Sequence, residues 1–572
     1  MMSFAALIIR IVLGMIRYIA LVLAAASIVT AAPPGAPVID WADRNYALVE
    51  VSPDAVAYER LVKRKDRVEV NVSWSVYTGE PGDTAYVLFG DRQVWVGEAA
   101  GKRASVCVSS GGKHEMRVKL CNADGCSVSA PVTVKIADTD GAHLDPLPYD
   151  AWLENNRPAE PTGKVVGAYF VEWGVYGREF PADKVPVPNL THLLYGFVPM
   201  CGGDGINDSL KSIAGSFEAL QRSCAGRDDF KLAVHDPWAA VQKPQKGVTA
   251  WSEPYKGNFG QLMAIKKAHP HLRVLPSIGG WTLSDPFYHM HDANARRAFV
   301  ESAREFLQTW KLFDGLDVDW EFPGGKGANP LLGDAERDRE TYALLLEELR
   351  LMLDELQTET NRTYELTSAI GAGDDKIAVV DYGRAHRSLD RIFLMSYDFK
   401  GAWSTTELGH QTALYAPSWR PDEPYTADNA VRQLLAQGVP ADKIVLGVAM
   451  YGRGWTGVTG YADGNPFTGT ATGPVPGTWE DGVVDYRELR LAIDGGRYAY
   501  AYDSTAKGAY AFDEPAGALV SFDNADSILD KGKYARELGL GGLFAWEIDA
   551  DNGDLLNAMH AGLKPAARRV EL

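Results

Sequence analysis

The sequence predicts two folded domains of different class, a small all-β sandwich followed by a large α/β domain of the (β/α)8 TIM-barrel type. Residues 33–136 alternate apolar and polar side chains with a period of two, which is typical of half-buried strands. From residue 164 onwards, eight apolar strand-like runs alternate with helix-like segments, which indicates a barrel. A chain of 572 residues is also too long for one ordinary domain.

Residues 1–31 have the features of a secretory signal peptide. Arg17 precedes the apolar run YIALVLAAASIVTAA, and Val29 and Ala31 fit a small-residue cleavage site. A retained membrane anchor is the alternative, but the run is short for a membrane span. We therefore expect a secreted protein, extracellular or periplasmic, that leaves the membrane once the signal is cleaved.

The stretch VEVNVSWSVY shows the strand pattern of the predicted immunoglobulin-like sandwich most clearly. Its valines and Trp74 share one face, and polar residues share the other. The runs MRVKL and VTVKI repeat the pattern, with NADG as a turn between them. By parity Tyr77 is expected to be exposed, and Trp41 lies among charged residues. The pair predicts a binding surface; the alternative is that Trp41 packs in the core and the domain is a spacer.

Five cysteines are present, and in an exported protein disulfides are their expected state. The sequence CNADGC places Cys121 and Cys126 at the ends of a tight turn, where they can face each other across a hairpin. Cys201 would then pair with Cys224, and Cys107 would stay free. The alternative is five buried thiols. No second close Cys or His pair completes four zinc ligands, so no metal is expected.

Residues 137–163 are polar and rich in proline, which is typical of a linker or of a strapped-down connection. The barrel is predicted over residues 164–565, with strands in KVVGAYF, LTHLLYGFV, LRVLPSI, FDGLDVDWEF, YELTSAI, DRIFLMSYD, KIVLGVAMYG and GGLFAWEID. Between the last two runs, about residues 451–522 are rich in glycine and aromatic residues and are too long for a simple loop. We predict a small α+β insertion domain there.

The charge of the chain narrows the range of partners. Asp and Glu outnumber Lys and Arg by 75 to 57, the net charge is −18, and no basic stripe occurs in the sequence. Nucleic acid and anionic membrane surfaces are therefore poor partners, and a neutral or cationic ligand is favoured.

The run DGLDVDWEF concentrates four acids in a segment that otherwise reads as a strand. Alternation puts Asp317, Asp319 and Glu321 on the lumen face, with successive side chains about 7 Å apart. Carboxylates this close cannot all ionise, so some pKa values must rise, which suits a general acid at Glu321, nearest the carboxyl-end rim. Asp314 has the opposite parity and is expected to form structural hydrogen bonds. A salt-bridged lumen network is the alternative, but no Arg or Lys lies on this strand.

Several motifs resemble those of family 18 glycoside hydrolases, the chitinases. The pattern D-x-x-D-x-D-x-E looks like the family's catalytic signature, SIGGW like its third-strand motif and MSYD like its sixth-strand motif. MYGRGW and FAWEIDADNGD look like the ends of strands seven and eight. The resemblance covers nearly all of residues 161–560. The sandwich and VVGAYFVEWGVYGREF are similar to the bacterial chitinase A type, which carries a fibronectin-III-like, chitin-binding domain ahead of the barrel.

The resemblance implies retaining hydrolysis of β-1,4-linked N-acetylglucosamine, in which the substrate's own acetamide carbonyl attacks the anomeric carbon and forms an oxazolinium ion. Glu321 would protonate the glycosidic oxygen, Asp319 would orient the acetamide, and Asp317 would share a proton with Asp319. Tyr397 would hydrogen-bond the acetamide oxygen, and Asp398 would help to hold the distorted sugar. The implied partners are chitin and chito-oligosaccharides, with no cofactor and a monomeric enzyme.

Aromatic residues complete the implied site. Four tryptophans lie at or just past strand ends, Trp173, Trp281, Trp403 and Trp546. A tryptophan is usually core, but four at one rim are better placed to stack on pyranose rings. By resemblance, Trp546 floors the central subsite, Trp173 lies on the non-reducing side, and the other two lie on the leaving-group side. Tyr451, Arg453 and Met395 are the remaining expected substrate contacts, with a structural salt bridge as the alternative for Arg453.

Two other functions remain open at this point. A chitin-binding lectin of the same family keeps the barrel and loses the acid, and the presence of Glu321 argues against it. An endo-β-N-acetylglucosaminidase acting on glycoproteins is the second. A long aromatic-lined cleft with an insertion domain favours the linear polymer instead.

Overall fold

The computed structural model describes residues 32–565, which form two compact units. The described part of the first unit comprises residues 32–46, Arg67–Ser109 and Lys113–Lys135. The second comprises Ala47–Asp66, Ser110–Gly112 and residues 136–565. The predicted signal peptide, residues 1–31, lies outside the described residues.

The first unit is all-β, as predicted. One sheet contains the strands Val38–Ala42, Val68–Ser75 and Arg103–Val108. The other contains Asn45–Ala47, Thr84–Phe89, Arg92–Glu98, Gly112–Asn122, Gly125–Val128 and Val132–Ala137. The rings of Trp74 and Trp95, one from each sheet, have centroids 6.3 Å apart, so the two sheets pack face to face. The predicted alternation is confirmed, since the valines of VEVNVSWS and Trp74 are buried.

The turn NADG joins different strands from those expected. It connects Gly112–Asn122 to Gly125–Val128, so a short strand separates MRVKL from VTVKI. This strand was missed because its side chains are polar or half-exposed and it pairs on one side only. The predicted disulfides are confirmed: Cys121–Cys126 closes this turn, Cys201–Cys224 forms in the second unit, and Cys107 is free and exposed.

Residues Ala47–Asp66 differ from the predicted sandwich of residues 33–136, because they belong to the barrel's compact unit. They contain the paired strands Val49–Val51 and Val62–Arg64 and the short helix Tyr58–Leu61. Val49, Tyr58 and Leu61 are buried in the same apolar core as the barrel strands and helices. Apolar burial therefore assigns this segment to the barrel unit.

Residues 137–163, expected to be a linker or a strapped-down connection, are tied to the barrel unit by hydrogen bonds. Leu147 N–H donates to the Ala264 carbonyl at 2.9 Å, and Thr139 Oγ1 donates to the Thr309 carbonyl at 2.6 Å. Further along, Asn155 N–H donates to the Asn552 carbonyl at 2.9 Å. The segment is thus held along its length rather than extended into solvent.

The second unit is built on a closed barrel of eight parallel strands, as predicted. These are Val165–Val171, His192–Val198, Arg273–Gly279, Gly315–Asp319, Glu365–Gly371, Arg391–Met395, Ile444–Ala449 and Gly542–Trp546. The eighth strand closes the barrel by pairing with both the seventh and the first, for example Gly542 with Val165. The strands are almost entirely buried because helices cover the outside and side chains fill the lumen.

Helices surround the barrel. They are Ser216–Ser223, Gly257–Ala268, Ala293–Thr309, Ala335–Thr360, Asp374–Ile377, Tyr382–Ala385, Ala427–Ala436, Ala525–Glu537 and Asp554–Leu563. The longest, Ala335–Thr360, begins after Asp334, whose carboxylate accepts the Arg337 N–H, and ends at Asn361 in the left-handed region (φ 53°). Within residues 32–565, no helix has the length and hydropathy needed to cross a membrane.

An antiparallel sheet with one helix is inserted between the seventh and eighth barrel strands. Its strands are Tyr451–Thr456, Gly473–Pro474, Val483–Asp485, Ala499–Asp503, Gly508–Asp513 and Ala518–Phe522, and its helix is Tyr486–Asp494. The sheet spans the residues expected for the α+β insertion. Its first strand starts two residues after the seventh barrel strand ends, so the insertion stands at the carboxyl-end rim.

Candidate active site

The fourth barrel strand separates its side chains between two cores. Leu316, Val318 and Trp320 belong to the core between barrel and helices, whereas Asp317 and Asp319 have the opposite parity and face the lumen. The lumen itself is packed with apolar and aromatic side chains, including Tyr169, Phe393, Tyr397 and Phe544. The carboxylates therefore stand in surroundings from which water is largely excluded.

Asp317 is fully buried and held by three hydroxyl groups. Tyr169 donates to Oδ2 at 3.0 Å, Ser277 donates to Oδ2 at 2.8 Å, and Thr367 donates to Oδ1 at 2.6 Å. Burial raises the pKa of Asp317, and the three hydrogen bonds oppose that rise. The carboxyl is thus fixed in position by strands one, three and five.

Asp319 has one buried carboxyl oxygen without a hydrogen-bond partner among the described residues. This atom is Oδ1, and the residue as a whole is buried. Burial, followed by the charges of Glu321 and Asp317, raises the pKa of Asp319 well above its ordinary value. The site therefore offers a buried oxygen that a ligand N–H group can satisfy, and a carboxyl that readily holds a proton.

Glu321 lies just beyond the end of the fourth strand and is partly exposed. Burial and the neighbouring charge of Asp398 raise the pKa of Glu321 to about 8. A carboxyl with this pKa is mostly protonated at neutral pH, which is the state that a general acid requires.

Asp398 lies close enough to Glu321 for its charge to act on the acid, and it is held by two side chains of the inserted sheet. Tyr451 donates to Oδ1 at 2.6 Å, while Arg453 donates to Oδ1 and Oδ2, each at 2.8 Å. Burial opposes ionisation, but the Arg453 guanidinium and these hydrogen bonds hold the pKa of Asp398 below its ordinary value. Arg453 thus forms the salt bridge considered as its alternative role, and its guanidinium also lies 5.3 Å from the Trp403 ring centroid.

Met395 is the last residue of the sixth strand, and Tyr397 lies two residues beyond it. Tyr397 is buried against the lumen cluster, and burial together with the charges of Asp319, Asp398 and Glu321 raises its pKa well above the ordinary value. Its hydroxyl therefore remains a hydrogen-bond donor across the working pH range. Met395 ends the strand and packs, partly buried, on the same cluster.

The four predicted rim tryptophans divide into one floor residue and three exposed ones. Trp546 stacks on Phe197, with centroids 5.7 Å apart and planes 17° apart, and also contacts Tyr169. Trp173, Trp281 and Trp403 are 41%, 52% and 62% exposed, which excludes a core role. They present flat apolar surface where barrel strands end.

The remaining predicted residues are Asp314 in the barrel unit and Tyr77 and Trp41 in the first unit. Asp314 accepts a hydrogen bond from the Val274 N–H at 2.8 Å and forms an ion pair with Lys266 at 2.5 Å. Both are structural contacts at the start of the fourth strand. In the first unit, Tyr77 is 73% exposed. The backbone of Trp41 pairs with Ser73, and the Trp41 side chain lies outside the described part of the structure.

Sequence reasoning missed two groups of residues. The first group is the hydroxyls on Asp317. Two of them come from residues in register with it, since Ser277, Asp317 and Thr367 are aligned across three neighbouring strands. The third, from Tyr169, comes from the first strand across the lumen. Three further tryptophans, Trp238, Trp251 and Trp479, are 48%, 96% and 51% exposed. Polar neighbours in the sequence could have indicated that Trp251 is exposed, by the same reasoning that was applied to Trp41.

Comparison with known proteins identifies the family of the chain. Residues 165–551 match the model of glycosyl hydrolases family 18, and residues 31–162 match the chitinase A N-terminal domain. The chain is 68% identical over 96% of its length to a probable endochitinase of Orgyia pseudotsugata multicapsid polyhedrosis virus, covering 98% of that protein. It is 46% identical over 93% of its length to chitinase A of Pseudoalteromonas piscicida, covering 69% of that protein.

Solved structures give the same result for the barrel. Chitinase ChiA74 from Bacillus thuringiensis has a TM-score of 0.62 at 30% identity, covering 70% of each chain. The catalytic domain of a psychrophilic chitinase B from Arthrobacter TAD20 has a TM-score of 0.61 at 30% identity, covering 71% of this chain and 96% of that one. The chain belongs to glycosyl hydrolases family 18, as a chitinase-type glycoside hydrolase with the chitinase A N-terminal domain ahead of its barrel.

Proposed function

We propose that this enzyme hydrolyses the β-1,4 linkages of chitin with retention of configuration, through a substrate-assisted oxazolinium intermediate. The observation that carries the proposal is a row of three acids, in which the lumen-facing Asp317 and Asp319 are followed just beyond the strand end by Glu321. The pKa of Glu321 is raised to about 8. Glu321 protonates the glycosidic oxygen as the bond breaks, and it later removes a proton from the attacking water.

The acetamide group of the substrate takes the place of a protein nucleophile. Its N–H satisfies the unpartnered buried oxygen of Asp319, which orients the carbonyl toward the anomeric carbon and offsets the developing positive charge. Asp317, fixed by its three hydroxyl donors, shares a proton with Asp319. The Tyr397 hydroxyl donates to the acetamide oxygen.

The sugar chain is held from both sides of the reacting bond. Trp546 forms the floor of the central subsite, Trp173 binds the non-reducing side, and the exposed rings of Trp281 and Trp403 bind the leaving-group side. Asp398, oriented by Tyr451 and Arg453, contacts the distorted central sugar. Met395 lines the base of that subsite.

The N-terminal unit supplies a second contact with insoluble substrate. Tyr77 is the exposed aromatic residue that supports this role, with Trp41 as its predicted companion. In the barrel unit, Trp238 and Trp251 have exposed rings of their own that can contact the polymer. Linked weak sites raise the effective concentration of an enzyme at a solid surface.

The enzyme acts outside the cytoplasm as a monomer in this proposal. The two disulfides support export, because such bonds persist in oxidising compartments. The apolar N-terminal run supplies the expected signal.

The test compares two substrates and one variant. Wild-type enzyme should release reducing sugar from colloidal chitin and leave glycoprotein glycans intact. Glu321→Gln should fold normally and lower kcat on chitin by several orders of magnitude, because the proton for the leaving group is lost. Glycoprotein deglycosylation without chitin hydrolysis would instead favour an endo-β-N-acetylglucosaminidase, and near-wild-type turnover by a folded Glu321→Gln variant would refute the acid.

A further inference from the structure

The acid Glu321 stands outside the regular hydrogen bonding of the barrel. Gly279 and Asp319 are the last residues paired between the third and fourth strands. Glu321 and Phe322 follow beyond this pair, so strand pairing does not hold their main chain. A buried N–H group without a hydrogen-bond partner destabilises the folded state. A catalytic carboxyl also needs a fixed main chain if it is to keep the correct geometry toward the substrate.

One hydroxyl holds the main chain at Glu321 itself. Ser284 Oγ accepts the Glu321 N–H at 2.8 Å, and the hydroxyl proton of Ser284 faces the carbonyls of Gly280 at 2.8 Å and Asp319 at 3.1 Å. Ser284 is buried, so water does not compete for these contacts. The serine thus joins the acid's backbone to the turn that follows the third strand.

A second hydroxyl holds the next residue. Tyr288 accepts the Phe322 N–H at 3.2 Å and donates to the Phe322 carbonyl at 2.9 Å. Tyr288 is also buried, and its ring packs edge-on against Trp320, 5.4 Å between centroids. The main chain on the C-terminal side of Glu321 is therefore held by both of its polar groups.

Residues 284–288, which carry both hydroxyls, are themselves held in place by buried contacts. Asp285 accepts hydrogen bonds from Ser209 N–H at 2.8 Å and Ser209 Oγ at 2.7 Å, and Phe287 stacks on Trp320 with planes 16° apart. All four of these residues are buried. The segment is a rigid support rather than a mobile loop.

We propose that Ser284 and Tyr288 are positioning residues that aim the Glu321 carboxyl by fixing the main chain at and after it. The proposal rests on the assignment of Glu321 as the acid. The same stretch of chain begins just after Trp281, the proposed leaving-group platform. One continuous stretch of chain therefore positions both the proposed platform for the leaving-group sugar and the acid that protonates it.

The test uses two leaving groups that differ in their need for a proton. An N-acetylglucosamine tetramer has a sugar leaving group, which must be protonated. The 2,4-dinitrophenyl β-glycoside of the N-acetylglucosamine disaccharide releases a weakly basic phenolate, which needs no proton. Ser284→Ala and Tyr288→Phe should each lower kcat/KM on the tetramer about 10- to 100-fold, as expected for a misplaced catalytic group. Their kcat/KM on the aryl glycoside should stay within about threefold of wild type.

A matched control removes a comparable hydrogen bond away from the acid. The Tyr342 hydroxyl donates to Ser368 Oγ at 2.8 Å and is buried between helix and barrel. Tyr342→Phe should keep the wild-type ratio of the two kcat/KM values.

Two results with the paired substrates would contradict the positioning role. Equal losses on both substrates, or no loss on the tetramer, would overturn the proposal. If Ser284→Ala does not fold, Tyr288→Phe alone carries the decision. Retained tetramer hydrolysis by Glu321→Gln would overturn the acid assignment and, with it, the positioning role. If Glu321→Gln is inactive but Ser284→Ala and Tyr288→Phe are fully active, only the positioning role is overturned.

Discussion

The Arg453 guanidinium contacts both carboxylate oxygens of Asp398, with 2.8 Å from Nε to Oδ1 and 2.8 Å from the second terminal nitrogen to Oδ2. This pair keeps Asp398 ionised beside the acid, and the retained negative charge adds to burial in raising the pKa of Glu321. A residue of the inserted sheet therefore influences the proton affinity of a residue on the barrel.

Asp398→Asn should move the alkaline limb of the kcat/KM profile to lower pH. The wild-type limb should fall through about pH 8, because Glu321 must be protonated to act and its pKa is raised to about 8. Loss of the neighbouring charge lowers that pKa, so activity should be lost earlier as pH rises. Asp442→Asn, at the amino end of the seventh strand, is the control and should keep the wild-type limb.

Glu321→Gln should be more stable than wild type at pH 8 and equal to it near pH 4.5. The folded protein binds the Glu321 proton more tightly than the unfolded chain, whose pKa is 4.5, so this group lowers the free energy of unfolding as pH rises between about 4.5 and 8. We expect a gain on the order of 4 kcal/mol at pH 8, since each unit of pKa difference corresponds to about 1.4 kcal/mol. Thermal unfolding at both pH values measures it.

The control for that measurement is Glu347→Gln. Glu347 is hydrogen-bonded to Arg384, which lowers its pKa, so its removal has the opposite sign. A stability gain at pH 8 in both variants would show that the effect is not specific to the buried acid.

Fully deacetylated glucosamine oligomers should not be cleaved, although N-acetylated oligomers of the same length should be. Glucosamine has no acetamide carbonyl to attack the anomeric carbon and no amide N–H for Asp319. Mass spectrometry of partially acetylated chitosan digests should show N-acetylglucosamine at every newly formed reducing end. A covalent glycosyl ester trapped on Asp398 would contradict the substrate-assisted mechanism.

Trp41→Ala combined with Tyr77→Ala should weaken binding to crystalline chitin and slow its hydrolysis. Each lost stacking contact is expected to cost about 1 kcal/mol, or roughly fivefold in affinity. Hydrolysis of short soluble oligosaccharides should be unchanged, because they fit within the barrel cleft. Val96→Ala, at an exposed aliphatic position of the same unit, should have no effect on either substrate. Equal loss on both substrates would indicate misfolding instead.

Much of the fold was predictable because periodicity reports burial directly. Each of the eight barrel strands coincides with a run identified from the sequence, five lying within their runs and three extending one residue beyond. The parity of Asp317 and Asp319 follows from alternation alone. Parity fails to show where a strand stops. The position of Glu321 beyond the last strand pair, which makes it dependent on other supports, could be read only from the structure.

Other features could not be predicted, because a sequence pattern indicates that a side chain is buried but not which residues it packs against. Tyr58 and Leu61 look like sandwich residues, yet their core is that of the barrel. The donors to Asp317 come from three other strands, and only the register of a closed barrel brings Tyr169, Ser277 and Thr367 to one carboxyl. Residues that support a site from distant parts of the chain carry no local signal.

Closure of the barrel has a consequence for biosynthesis. The first strand, Val165–Val171, has one hydrogen-bonding edge that pairs with the eighth strand, Gly542–Trp546, which the ribosome makes after all the other barrel strands. Until then the nascent chain holds an open sheet with unpaired edges, a state prone to association with other chains. Since Trp546 is also the floor of the proposed central subsite, a nascent chain gains its closed barrel and its complete sugar-binding surface in the same late step.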